Sequence, residues 1–309
     1  MARSKKRVRD ASTLDMFPDL LQLAQEEGEE ALEFLPSSRA VWTHQKAQLI
    51  AAYLYRFVMV TKHGTYIDGF AGPHSPENPE TWAAKLVIEK HPRWIRNFFL
   101  CEIDPKKVQA LDALWEMQSP PKEKESRRQC NIMPGDFNVR IDDILASGVI
   151  GEKEATFALL DQWTNECHWS SVEKLARHKK IGNKIEQFYF LAVKWLHRAM
   201  GGITTLSGEE KIRAWWGKDN WRVLQNMSQR DICDVMRGRF KSELGYRYAY
   251  PFPIYGEEDG HGSVMYYMIH ATDHSEAPKL MNDAYRKILP GVQTGEQFSF
   301  DVPGFEKLL

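Results

Sequence analysis

At 309 residues and a formal net charge of −1, the chain has room for one large domain or two modest ones and no global basicity to act through. Its 43% hydrophobic and 27% charged residues make an ordinary soluble globular composition. Four cysteines without a CxxC pair (Cys101, Cys130, Cys167 and Cys233) set aside a disulfide framework or metal site and point to free thiols in a reducing cytoplasm.

The basic start MARSKKRVRD lacks the apolar stretch of a secretory signal, and no run of about 18 apolar residues marks a membrane span. Residues 1–40 read as a basic, then acidic, tail with a loose helix, and residues 41–309 as the folded domain. From Val41 a helical pattern begins, with Trp42, Leu49, Ile50, Tyr53, Leu54 and Phe57 on one face. Strand-like runs then follow at Thr65–Asp68, Asn97–Asp104, Cys130–Gly135, Thr156–Asp161 and Gln187–Val193. Helical patterns at Thr81–Lys90, Pro105–Met117, Val139–Ala146 and Ser171–His178 separate the first five. Strands apolar almost throughout, alternating with helices, predict an α/β fold: a mostly parallel sheet covered on both faces.

Residues 205–247 break the rhythm with tryptophan-bearing, charge-rich helical segments around AWWGKDNW and DICDVMRGRFKSELGYRY, and read as a helical insertion. AYPFPIYG and SVMYYMIHAT then form an antiparallel edge hairpin across a Gly-rich loop, Glu257 to Gly262, before a last helix at Ser275–Leu289.

In open parallel sheets the ligand lies beyond the carboxyl ends of the strands, where the strand order reverses. Four successive strands here deliver an acid to that edge: Asp68, Glu102 with Asp104, Asp136, and Asp161. Turns favour aspartate singly, but four in register is a pattern. The first strand runs into Asp68-Gly69-Phe70-Ala71-Gly72-Pro73, where glycine lets the backbone approach a ligand closely. Glu102 suits the two hydroxyls of a ribose, and Asp136 with Phe137 suits an adenine, held by its amino group and an apolar face. Asp104 before Pro105, and Asp136 before Asn138, are equally good helix caps. The turn lacks the full GxGxxG, and no P-loop is present. An acidic edge favours a cationic nucleoside over a polyphosphate, and S-adenosylmethionine is such a ligand.

YIDGFAGP, CEIDP and GDFN resemble the class I S-adenosylmethionine-dependent methyltransferase fold. The wider layout resembles the three-Cys-motif partner protein family: the Trp42 helix with Lys46 and Tyr53, the turn Tyr66–Pro73, the LLD strand and the late YYMIHATDH. The resemblance spans roughly residues 41–290. It implies a Rossmann-like methyltransferase sheet, S-adenosylmethionine as cofactor at Asp68, Gly69, Phe70, Ala71, Gly72, Glu102, Asp136 and Phe137, and a separate three-cysteine protein as partner. Two departures stand out. His74 replaces a second glycine after the proline, and Asp161-Gln162-Trp163-Thr164 replaces Asp-Pro-Phe-Gly.

Asp161, ending the fourth strand, is the candidate catalytic residue, placed to hold a target amine or hydroxyl. Cys167 lacks the preceding proline of a cytosine-C5 nucleophile, and with His168 it suits capping or packing before WSSVEKLA. Trp163 and Trp169 could stack a flipped base or belong to the core. Basic segments hold Arg177, Lys179 and Lys180 in one cluster and Arg237, Arg239 and Lys241 in another, either following a DNA or RNA backbone or facing solvent. Two functions follow: a methyltransferase acting on nucleic acid with a partner protein, or a non-catalytic subunit that keeps the nucleoside pocket and serves that partner.

Overall fold

The computed structural model describes residues 41–74, 78–118, 128–203, 205–255 and 264–288. The tail expected over residues 1–40, the hairpin loop Glu257 to Gly262 and the end of the last helix at Leu289 lie outside them. Among the described residues, seven strands form one sheet: β1 (Gly64–Asp68), β2 (Ile95–Glu102), β3 (Gln129–Pro134), β4 (Thr156–Leu160), β5 (Glu186–Leu191), β6 (Tyr248–Tyr255) and β7 (Val264–Thr272). Their order is β3-β2-β1-β4-β5-β7-β6. The first five pair in parallel, and β7 inserts antiparallel between β5 and β6. This mixed, mostly parallel sheet is a Rossmann-like methyltransferase fold, and its order reverses between β1 and β4.

The helices are α1 (Val41–Thr61), α2 (Ala83–Glu89), α3 (Pro105–Glu116), α4 (Phe137–Ala146), α5 (Trp169–His178), α6 (Val193–Gly201), α7 (Leu206–Trp216), α8 (Gln229–Ser242) and α9 (Ala277–Ile288). Short 3-10 turns stand at Pro79–Thr81 and Trp221–Asn226. Among the described residues no helix is long and apolar enough to cross a membrane. Several helix starts are written into the sequence. Asp104 accepts from the Lys106 amide ahead of Pro105, and Ser228 and Asp231 form a reciprocal capping box at α8.

Strand alternation sends neighbouring residues to opposite faces. On one face Tyr66, Phe98, Phe157 and Phe188 make an aromatic layer. Tyr53 and Phe57 of α1 press onto it, the Tyr53 and Phe157 rings 5.5 Å apart. On the other face Ile67, Phe99, Ala158 and Tyr189 join Phe137 and Ile141 of α4, Trp169 and Val172 of α5, and Trp215, Trp216 and Phe240 of the 205–247 region in one buried cluster.

Arg239 locks that region in place. It is fully buried, with its guanidinium 3.7 Å from the Trp169 ring centre and 4.2 Å from that of Trp216. It donates to the Trp216 carbonyl and, through two nitrogens, to both Glu243 carboxylate oxygens. This corrects both readings of Arg239, as a phosphate contact and as a solvent-facing charge, because no face of it reaches solvent. Lys179 is likewise buried and donates to the Glu154 carbonyl, and the Arg237 side chain is 15% exposed beside Asp234. Arg177, Lys180 and Lys241 remain exposed.

Candidate functional site

Register explains why the acids converge. Asp68 pairs with Leu100 of β2 on one side and Leu159 of β4 on the other. Glu102 and Asp161 each stand two residues farther along. They therefore flank the end of β1 at the same height, across the point where strand order reverses.

The turn after β1 is held from both sides. Gly69 N–H donates to the Leu159 carbonyl and Ala71 N–H to the Cys101 carbonyl. Asp68 is 1% exposed and accepts from the Tyr66 hydroxyl at 2.8 Å and the Phe70 amide at 3.1 Å. Burial pushes its carboxyl up from 3.8 to about 7, against those two hydrogen bonds. Gly72 N–H donates to Glu102 Oε2 at 2.9 Å, while Glu102 Oε1 accepts from the Ile103 and Asp104 amides. A Cβ on Gly72 would lie 2.1 Å from Glu102 Oε2, so the close approach needs glycine. A carboxylate offers about four acceptor positions, and three amides leave roughly one for a ligand hydroxyl. Ile103, next to it, is an apolar side chain 71% exposed at the same edge.

Asp136 accepts from both the backbone and side-chain nitrogens of Asn138 and caps α4, so its carboxyl is engaged locally. Phe137 is buried, its ring 5.9 Å from Phe70 and against Gly69, where a Cβ would come within 3.1 Å of it. Phe70, Phe137 and the glycines thus build the floor of the turn.

Asp161 is 5% exposed and meets Lys46 of α1, whose Nζ lies 2.8 Å from Oδ1. Lys46 is itself buried, over the rings of Phe190 (4.8 Å) and Tyr266 (5.7 Å). Burial pushes Asp161 up, but the Lys46 ammonium and His74 outweigh it and hold the carboxyl below its ordinary range. His74 Nε2 lies 3.8 Å from Asp161 Oδ2. The His74 ring meets Trp163 edge-on at 5.0 Å, and Lys107 of α3 lies over the same indole at 5.4 Å.

Gln162, which follows Asp161, is buried and acts as a bracket. It donates to the Phe190 carbonyl and accepts from the Cys167 amide. His168 and Cys167 belong to that packed loop, with the His168 amide on Asn138. Trp169 is core, beneath Arg239, while Trp163 is half-buried against His74. The sequence placed Lys46 and His74 within its motifs but carried no sign that either meets Asp161. Ile103 could have been read from CEIDP, an apolar residue between two acids at a strand end.

Two cavities, of about 420 and 460 Å³, are lined by neither Glu102 nor Asp161, although the second reaches His168 and Trp169 after β4. The first opens at the amino ends of β4 and β5, between Tyr53, His63, Glu154, Glu186 and Thr272. A cavity of this size is an ordinary candidate for a binding site, yet the Glu186 oxygens are already satisfied by core groups. Oε1 takes Tyr53 Oη and His270 Nε2, and Oε2 takes Thr272 Oγ1 at 3.0 Å. The chemistry points to the opposite edge.

No protein-family model matches the chain, and no curated protein matches it significantly. The likeness to the three-Cys-motif partner family therefore rests on the motifs quoted above. Among solved structures, the chain is similar to the methyltransferase domain of a bacterial protein, CtHen1-CN, at 12% identity and a TM-score of 0.41, over 74% of this chain and 99% of that one. It is also similar to the DszA carbon methyltransferase, at 13% identity and a TM-score of 0.40, over 71% of this chain and 52% of that one. Likeness this distant adds nothing to the strand order, which by itself gives a Rossmann-like methyltransferase fold.

Proposed function

We propose that the chain binds S-adenosylmethionine at the carboxyl edge of its sheet and transfers the methyl group to a nucleic-acid acceptor, together with a three-cysteine-motif protein. The observation that carries the cofactor is the Gly72–Glu102 clamp, in which one carboxylate fixes a side-chain-free turn beside the exposed face of Ile103. These residues fit the group: Glu102 and the turn would hold the ribose, Ile103 would cover the purine, and Asp68 would favour the cationic end. Bound there, the cofactor would supply an activated methyl on a sulfonium. The chain's own residues then orient the acceptor and exclude water at Asp161, His74 and Trp163, and positioning supplies much of the rate.

Nucleic acid as acceptor is supported by Trp163, a half-buried indole beside His74 at this edge, a ring type able to stack on a base. A second reading, a cofactor-binding subunit without transfer, is favoured by one observation: Lys46 occupies an oxygen of the acid expected to meet the acceptor. Isothermal titration with S-adenosylmethionine, followed by transfer of labelled methyl to mixed DNA and RNA, tests both. Binding with transfer supports the enzyme, binding without transfer at any partner concentration supports the subunit, and no binding removes both.

A further inference from the structure

We propose that His74 is the proton acceptor of the methyl-transfer step, with Nε2 turned to Asp161 and Nδ1 left for the proton of the attacking N–H or O–H group. This assignment rests on the methyl-transfer reading above and goes beyond it by naming the base and the chemistry of the acceptor. Asp161 is poorly suited to the task. Lys46 saturates one of its oxygens at 2.8 Å and holds it ionised, and a carboxylate so stabilised has little affinity for a proton.

His74 has what Asp161 lacks. Its side chain is 26% exposed, against 6% for Asp161 and 5% for Lys46, so a proton can enter and leave the buried cluster through the imidazole. It stands two residues beyond Gly72, at the end of the turn that Glu102 clamps, and Trp163 sets its ring from the side. Three charged groups face it: Asp161 after β4, Lys46 from α1 and Lys107 from α3. Burial and the two cations outweigh the carboxylate and hold the imidazole below its ordinary pKa, so it is neutral and ready to accept at neutral pH. The 3.8 Å from Nε2 to Oδ2 is longer than a hydrogen bond, and catalytic contacts of this kind commonly tighten once substrate is bound.

The step balances as follows. The lone pair of the acceptor nitrogen or oxygen attacks the methyl carbon, forming the new C–N or C–O bond. The C–S bond breaks and its electron pair returns to sulfur, leaving a neutral thioether. The acceptor's proton passes to Nδ1, and the resulting imidazolium faces the Asp161 carboxylate before losing its proton to solvent. Asp161 is then a positioning residue, fixing the tautomer and stabilising the imidazolium, and Lys46 keeps it charged. An acceptor with no proton to lose, such as a thioether or a tertiary amine, would have no use for this arrangement.

The test compares wild type with His74→Ala and His74→Asn, using S-adenosylmethionine carrying labelled methyl and mixed DNA and RNA as acceptors. Both variants should bind the cofactor as wild type does by titration calorimetry. Wild-type transfer should rise with pH to a plateau with its midpoint below 6.5. The variants should lose about 100-fold or more at neutral pH, and free imidazole should restore part of the rate to His74→Ala. Nitrogen NMR of labelled histidine should show the His74 ring neutral at neutral pH and protonated at Nε2. Undiminished transfer by His74→Ala, a ring already charged at neutral pH, or wild-type cofactor binding with no transfer would each overturn the assignment. If wild type fails to bind the cofactor, the reading beneath it falls instead.

Discussion

The two edges of the sheet hold buried carboxylates of opposite character. At the carboxyl edge Asp161 shares one oxygen with Lys46 and turns the other toward the half-open His74. At the amino edge Glu186 is closed on all sides by Tyr53, His270 and Thr272. The same helix serves both: Lys46 and Tyr53 stand seven residues apart on α1, two turns and about 10 Å along one face. A carboxylate with spare acceptor capacity beside a half-buried titratable ring is arranged for chemistry. One saturated by its own core is arranged to hold α1 against the sheet, even with a cavity in front of it.

The largest effect should come from breaking the Lys46–Asp161 pair. Asp161→Leu or Lys46→Met alone leaves a buried charge uncompensated and should cost about 3–5 kcal/mol. The double variant Lys46→Met/Asp161→Leu should recover most of that stability while transfer stays lost. Denaturant unfolding of the three variants checks this, and additive losses would show that the two residues do not act as a pair.

Gly72→Ala comes next. The added methyl would displace Glu102 from the turn and remove one charge-assisted bond, about 1.5–3 kcal/mol. Cofactor affinity should fall, because the displaced acid no longer faces the ribose. Normal affinity in a folded variant would show that the clamp is incidental to binding.

Glu186→Gln should act on stability alone, costing about 1–3 kcal/mol as one of its core donors loses an acceptor. Thermal unfolding gives the loss, and an accompanying loss of cofactor binding would contradict the division between the edges.

A pH-dependent effect concerns Asp68. Its folded pKa of about 7 lies above the ordinary 3.8, so the folded state holds this proton more tightly than the unfolded chain. Its contribution to stability is complete below 3.8, declines as pH rises to about 7 and is flat above. Without cofactor, wild type should gain stability relative to Asp68→Asn as pH falls from about 7 toward 3.8. Parallel pH profiles for the two proteins would refute the raised pKa.

The strands were legible because buried parallel strands are written as unbroken apolar runs that end in acid or glycine, as Thr65–Asp68 and Thr156–Asp161 do. Helix α6 was not foreseen, because Leu191-Ala192-Val193 passes from β5 into it with no glycine or proline between them. The late hairpin was legible, but pairing of β5 with β7 rather than β6 was not, since nothing local sets which of two strands lies inside. At the site, Gly72 and Glu102 could be named from turn chemistry. The pairing of Lys46 with Asp161 spans 115 residues, and no local pattern encodes it. RGRFK looked like a phosphate contact because composition records charge and not burial. Only the fold shows that Arg239 is sandwiched between Trp169 and Trp216.

Titration calorimetry with S-adenosylmethionine on wild type, Glu102→Ala and Glu186→Gln tests the central claim most directly. Wild type and Glu186→Gln should bind alike. Glu102→Ala should bind more weakly by about 2 kcal/mol, close to 30-fold, as expected for a charge-assisted hydrogen bond to the ribose. The account is contradicted if wild type does not bind, or if Glu186→Gln loses binding while Glu102→Ala keeps it.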